Sequence, residues 1–299
     1  MVMEVRKPYS TMYRLFTVML VMLTLISYIV ISAAKINYLV IIASICVGIS
    51  YGILSNVVAA RHLYFLAAAS PHSALFAASL GMIIYMLVGG NPRYWSVIIG
   101  ITLLNVVSYL IRVSRSKDVA TSVFVSLTSS LSVVTLYYLS MVSNVSRDAL
   151  MSVIVGELTL VSREYVVEAT LITAAIVIPV IIMYYGMIYE PKVTTSVINK
   201  YDIVMYTILA LATVGLIKLT GFILEHVLIL MPGAIASTVA RKARDALAIS
   251  LLTSLAATSL GLLIYVPTGM SPSGMAGVFL VSTYVVSILL RRKRGRINL

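Results

Sequence analysis

An all-α, polytopic transmembrane bundle of about ten spans, with both termini cytoplasmic, is the fold class this sequence predicts. Three observations predict it. Of 299 residues, 61% are hydrophobic and only 11% charged, where a globular chain carries roughly a quarter. Apolar runs of about 20 residues, the length needed to cross a hydrocarbon core of roughly 30 Å, recur along the whole chain and lift the mean hydropathy to +1.05. The 22 Lys and Arg residues sit in the short breaks between those runs.

The runs, in order, are residues 13–33, 38–60, 63–88, 94–113, 119–141, 165–189, 201–216, 221–240, 246–266 and 274–290. The first follows a basic start and ends at Ser32-Ala33-Ala34, which also fits a cleavable signal; its length and the even span count favour a true span. The second carries Gly48 and Gly52, spaced to let another helix approach closely. Pro71 interrupts the third and frees a carbonyl one turn back, and Pro179 is expected to kink the sixth. The seventh is short and the eighth contains Pro232, so these two read either as two spans or as one span plus a re-entrant half-helix. Thr268-Gly269 and Ser271-Pro272-Ser273-Gly274 form the turn before the last span.

Orientation follows from the positive-inside rule. With a cytoplasmic N-terminus only Lys35, Arg93, Arg147, Arg163 and Lys218 fall outside, and every other cation falls inside, including Arg61, Arg241-Lys242-Ala243-Arg244 and the run Arg291 to Arg296. The net charge of +12 is therefore a topological signal with some affinity for anionic lipid, and nucleic acid is not an expected partner. Lys218 reads as an interfacial anchor. The single Cys46 excludes a disulfide framework or thiolate metal cluster within one chain. Asn144-Val145-Ser146 fits a glycosylation acceptor, a triplet too common to decide anything.

Two connections are long enough to work as a gate or a handle. Residues 144–164 lie outside, and residues 148–161 have the pattern of a short interfacial helix. Residues 190–200 lie inside, with Pro191 and Thr194-Thr195-Ser196 suited to a short helix gripped by a soluble partner.

Three ionisable residues within the apolar runs stand out as candidate site residues: His72, Glu225 and His226. Each costs roughly 2.5 to 3.5 kcal/mol to insert if charged, so such residues persist where they line a polar route or form a buried pair. Glu225 and His226 are about 100° apart on a helix, so one can face a route while the other faces a neighbour. A divalent-cation site with His72, a proton relay and a structural hydrogen bond are all compatible with them.

Several stretches, taken in order, resemble the permease subunit of ABC importers for zinc, manganese and iron. Gly221-Phe222-Ile223-Leu224 leads at family spacing to Pro232-Gly233-Ala234-Ile235-Ala236. Tyr64-Phe65-Leu66 with Ser70-Pro71-His72-Ser73-Ala74-Leu75 is similar to the family's histidine-bearing stretch. Asp118-Val119-Ala120 and Val155-Gly156-Glu157 resemble two further family segments. The similarity runs over roughly residues 38–290, leaving residues 1–36 as an added span on a single permease domain. There are departures. The family aspartate four residues before the histidine is Ala68, its Pro-Gly is Phe76-Ala77, and Glu225-His226 replace two aliphatic residues.

The resemblance implies a multi-pass permease in the cell membrane, paired as a homodimer or with a similar permease. It also implies a cytoplasmic ATP-binding ABC subunit and an external substrate-binding protein as partners. Glu190, Pro191, Lys192, Thr194, Thr195 and Ser196 then correspond to the ATPase-coupling helix, and His72, Glu225 and His226 to candidate ligands of a transported divalent metal. The chain has no Walker-type glycine loop, so ATP hydrolysis is expected in another chain and no cofactor is expected here. Competing readings are a permease for a non-metal cargo, an intramembrane metalloenzyme built on His72, Glu225 and His226, and a secondary transporter.

Overall fold

The computed structural model describes residues 7–114, 116–142, 156, 158, 159, 161–189, 200–240 and 242–295. The described residues form nine α-helices: α1 (Lys7–Ala33), α2 (Tyr38–Arg61), α3 (Tyr64–Val88), α4 (Pro92–Val113), α5 (Lys117–Val142), α6 (Arg163–Tyr189), α7 (Lys200–Val239), α8 (Ala243–Thr268) and α9 (Pro272–Gly295). All nine contain a stretch long and apolar enough to cross a bilayer. The side bearing Lys35, Arg93 and Lys218 is called outer below, following the charge rule.

Local chemistry sets several of the ends. At the outer side the Asn37 and Asn91 side chains accept the backbone N–H of Leu39 (3.0 Å) and Arg93 (2.9 Å), capping α2 and α4. At the inner side α2 stops at His62, whose φ of 53° is left-handed and whose N–H bonds back to the last turn. Most of the length of α2 is buried, and it packs against α6, α7 and α8. Helix α3 packs between α4 and α5, α9 covers α7 and α8, and α1 lies mainly on α8.

Helix α7 departs from the expected pattern. Residues 201–216 and 221–240 merge into one 40-residue element with no intervening loop; Lys218, Leu219 and Thr220 are helical, and only Gly221 breaks the backbone (φ 69°, ψ 159°). If α7 were straight, Asp202 and Gly233 would stand about 46 Å apart. Instead Asp202 pairs with Arg61 at 2.8 Å and Gly233 N–H donates to Ser55 Oγ at 2.7 Å, less than two turns apart on α2. The chain therefore doubles back at Gly221, and the two limbs, α7a before it and α7b after it, cross the layer separately. The nine helices make ten crossings, as the apolar runs predict.

Pro232 does not break α7b, contrary to the half-helix alternative. Its ring removes one backbone donor, and the next donor, Gly233 N–H, is turned outward and taken by Ser55. A Cβ at Gly233 would collide with the Ser55 carbonyl. Gly48 and Gly52 also behave as packing residues: a Cβ at Gly52 would fall 2.8 Å from the Leu251 backbone of α8, and Ser250 Oγ donates to Gly52 O at 2.7 Å. Near Pro71 the freed Ala67 carbonyl accepts the Ser70 hydroxyl at 2.9 Å.

Gly221 sits in a region of φ/ψ space that essentially only glycine occupies. Gly221→Ala is expected to cost about 1 to 3 kcal/mol, read as a lower unfolding temperature in detergent. Gly274→Ala, whose new Cβ would meet nothing closer than 3.9 Å, is expected to change stability by less than about 0.5 kcal/mol.

Candidate functional site

Two of the three ionisable residues meet. His72, two turns into α3, and His226, near the start of α7b, stand with ring centroids 5.9 Å apart and planes at 85°. Phe222, one turn before His226, puts its ring 5.0 Å from His72. Helix α5 contributes Ser129, whose Oγ lies 2.8 Å from His72 Nδ1. If the imidazole is the donor in this bond, its Nε2 lone pair is left for a ligand, the arrangement usual for metal-binding histidines. His226 Nδ1 is buried without a hydrogen-bond partner in the protein.

Both imidazoles are half-buried and belong to one accessible face. On α3 this face runs through Ala68, His72 and Leu75; on α7b it runs through Ile223, His226, Leu230, Ala234 and Ser237. The spacing is helical, so this is one stripe on each helix that the protomer leaves uncovered. Ala68 lies one turn from His72 on the stripe, so the carboxylate missing there relative to the resembled family is missing from this face.

Glu225 does not join the pair. It is fully buried, and neither carboxylate oxygen has a hydrogen-bond partner in the protein. The turn of about 100° between consecutive residues that sends His226 to the accessible face sends Glu225 into the packed interior. Among the described residues no three His, Cys, Asp or Glu side chains are grouped closely enough to hold a metal ion. The expected set of His72, Glu225 and His226 is thus reduced, within one protomer, to two imidazoles.

Ser129 and Phe222 escape a reading of the sequence. Helix α5 is rich in hydroxyls, and most turn back onto their own helix, as Ser130 does to Ser126 O and Ser132 to Thr128 O; only tertiary structure singles out Ser129. Phe222 lies inside the spaced motif but looks like any apolar residue. Glu190, Pro191, Lys192, Thr194, Thr195 and Ser196 lie outside the described residues. Of the external connection, residues 156, 158, 159 and 161–164 are described, among them Gly156, Leu158 and Val161. The last two are buried, and a Cβ on Gly156 would fall 2.5 Å from the Thr220 carbonyl at the bend of α7.

Glu225→Gln keeps the shape of the side chain and removes any buried charge, an ion of which would cost several kcal/mol. The unfolding temperature in detergent is expected to hold or rise; a marked fall would mean that the carboxyl has a partner that matters.

The sequence model of the ABC 3 transport family matches residues 34–291. No curated protein sequence matches. Among solved structures, PsaBC from Streptococcus pneumoniae, in complex with Fab, superposes with a TM-score of 0.69 at 18% identity, over 83% of this chain and 89% of that one. A structure described as an ABC transporter of the metal-chelate type in an inward-facing conformation superposes with a TM-score of 0.64 at 12% identity, over 93% and 99%.

Proposed function

The chain belongs to the ABC 3 transport family, the metal-type ABC transporter permeases, and we infer from this that it carries a divalent metal ion inward across the cell membrane, driven by a separate ATPase. A permease of this kind is a route and not a catalyst, so the intramembrane metalloenzyme reading falls. The observation that carries the metal reading is the His72–His226 pair on the accessible stripe, with one buried nitrogen left without a partner. Ligands of a passing ion have to be reachable from the route, and two partly accessible imidazoles, His72 held only through Nδ1 by Ser129 and His226 with Nδ1 unpartnered, support that reading.

One protomer supplies half of a tetrahedral donor set. Two copies facing each other across the α3–α7b stripe bring four imidazoles to a shared axis, with Phe222 as an apolar wall. Imidazole donors without a carboxylate suit zinc better than manganese, which prefers oxygen ligands. Zinc is accordingly the preferred cargo among zinc, manganese and iron. In this reading the inner segment Glu190 to Ser196 couples to the cytoplasmic ATP-binding subunit, and an external binding protein delivers the ion above the bend of α7. A non-metal cargo is the second reading, favoured by the lack of a three-ligand group among the described residues.

Reconstitution with the partner ATPase in proteoliposomes tests these points. We expect zinc-stimulated ATP hydrolysis and zinc uptake, lowered at least about tenfold by His72→Ala or His226→Ala, a loss of roughly 1.4 kcal/mol of ion stabilisation. Unchanged uptake in both variants, or stimulation only by an uncharged organic solute, would overturn the metal reading. Co-purification with the ATPase is expected to be lost when Lys192 and Thr194 to Ser196 are replaced by acidic residues. Transport that persists without any ATPase would refute the ABC mechanism itself.

A further inference from the structure

A cavity whose lining does not include the histidines lies toward the outer end of the bundle. Helix α4 meets α7a where Gly100 lies against Val214, and α6 meets α7a where a Cβ on Gly215 would fall 2.6 Å from Ile172. Val214 and Gly215 are neighbours, so α4 and α6 converge on one level of α7a. Around and outward of this level lies a partly open cavity of about 690 Å³ with mostly apolar walls, to which Ala78, Leu136, Val214 and Ile172 contribute. That volume is in the range of specific small-molecule sites, about 300 to 1,000 Å³.

Its rim is polar and its charged groups are tied together. Arg93 of α4 is ion-paired with Glu168 of α6 and lies 3.9 Å over the ring of Tyr165; Lys218 of α7a donates to the Tyr165 hydroxyl at 3.3 Å. Two cations thus stand with one carboxylate, and the ion pair engages that carboxylate with Arg93. The lips are open at the side of the chain, between spanning helices: Tyr94, Ile98 and Leu171 line the cavity and are 71%, 56% and 65% exposed. An apolar chamber reached sideways from lipid, with surplus positive charge at headgroup level, complements a molecule with an anionic head and hydrocarbon tail.

We propose that this cavity is a binding site for one outer-leaflet glycerophospholipid, with an acyl chain between α4 and α6 and its phosphate on Lys218. Lys218 is then a ligand residue and not merely an interfacial anchor. The site is separate from the His72–His226 face and does not depend on the identity of the cargo.

The test is native mass spectrometry of the full chain, purified in detergent, stripped of lipid and titrated with phosphatidylglycerol. One phospholipid per protomer should be retained. Lys218→Gln should weaken retention roughly fivefold, the worth of one Lys–headgroup attraction, whereas Lys35→Gln, an exposed outer cation away from the cavity, should not. Ala78→Phe, which fills the chamber, should displace the lipid at unchanged unfolding temperature; if that variant fails to fold, the Lys218 and Lys35 comparison decides alone. Retention of phosphatidylcholine as well as phosphatidylglycerol would support a site that reads the phosphate, and retention of phosphatidylglycerol alone one that reads net charge. Equal retention by wild type and Lys218→Gln, or equally tight binding of uncharged diacylglycerol, would overturn the proposal.

Discussion

Hydrocarbon supplies no hydrogen-bond partner, so backbone groups freed or shared inside this bundle have to be answered by side chains, from the same helix as at Pro71 or from a neighbouring one. That constraint organises the centre of the molecule. Ser55 takes the Gly233 N–H beside Pro232, the Tyr51 hydroxyl donates to Ala212 O at 3.2 Å, Ser250 donates to Gly52 O, and Ser273 donates to Thr220 O at 3.1 Å beside the bend. Three of the four involve α2, so α2 is the post against which both limbs of α7 are held. Gly48 and Gly52 make room on another side of the same post for α8. The result is a tightly packed interior made largely from small residues, serine and threonine, as expected where apolar surface gains nothing by leaving lipid for protein.

The two limbs of α7 then do different things with neighbouring residues. Limb α7a faces α2, α4 and α6 and forms the floor of the outer cavity. Limb α7b turns one side into the interior, where Glu225 is enclosed, and the other toward the uncovered stripe, where Phe222 and His226 meet His72 and Ser129. The functional reading as a metal-type permease rests on that second side. The family supplies the machine, and under the proposed function the two imidazoles are the place in it where an ion would be touched.

Much of the fold was legible because a spanning helix has a required length and a required composition. Every run read from the sequence lies in a helix, with displacements of a few residues at most ends. The break in α7 was legible to within a few residues, as the gap between runs 201–216 and 221–240; that it is a bend at one residue with no loop, and that Pro232 leaves its helix whole, was not. Pro232 announces a missing donor, but whether the helix breaks there depends on Ser55, 177 positions earlier, while Gly221 advertises nothing except freedom. At the site, the cost of burying ionisable groups pointed to His72, Glu225 and His226. Geometry along one helix could say that Glu225 and His226 diverge, not which of them faces the route. Ser129 could not be told from the other hydroxyls of α5 until α3 was laid beside it.

The bend at Gly221 has a consequence for how the protein is made. Between Tyr201 and Val239 lie 39 residues that are apolar almost throughout, with no hydrophilic loop to tell the insertion machinery that two segments are passing and not one. A nascent chain that took this stretch as a single crossing would invert everything after it and put the cluster Arg291 to Arg296 on the wrong side. Arg241, Lys242 and Arg244, immediately after the second limb, oppose that error by drawing the end of the hairpin back to the cytoplasmic face. Their proper reading during synthesis decides the sidedness of α8 and α9, and with it whether the last two helices can close around α7b at all.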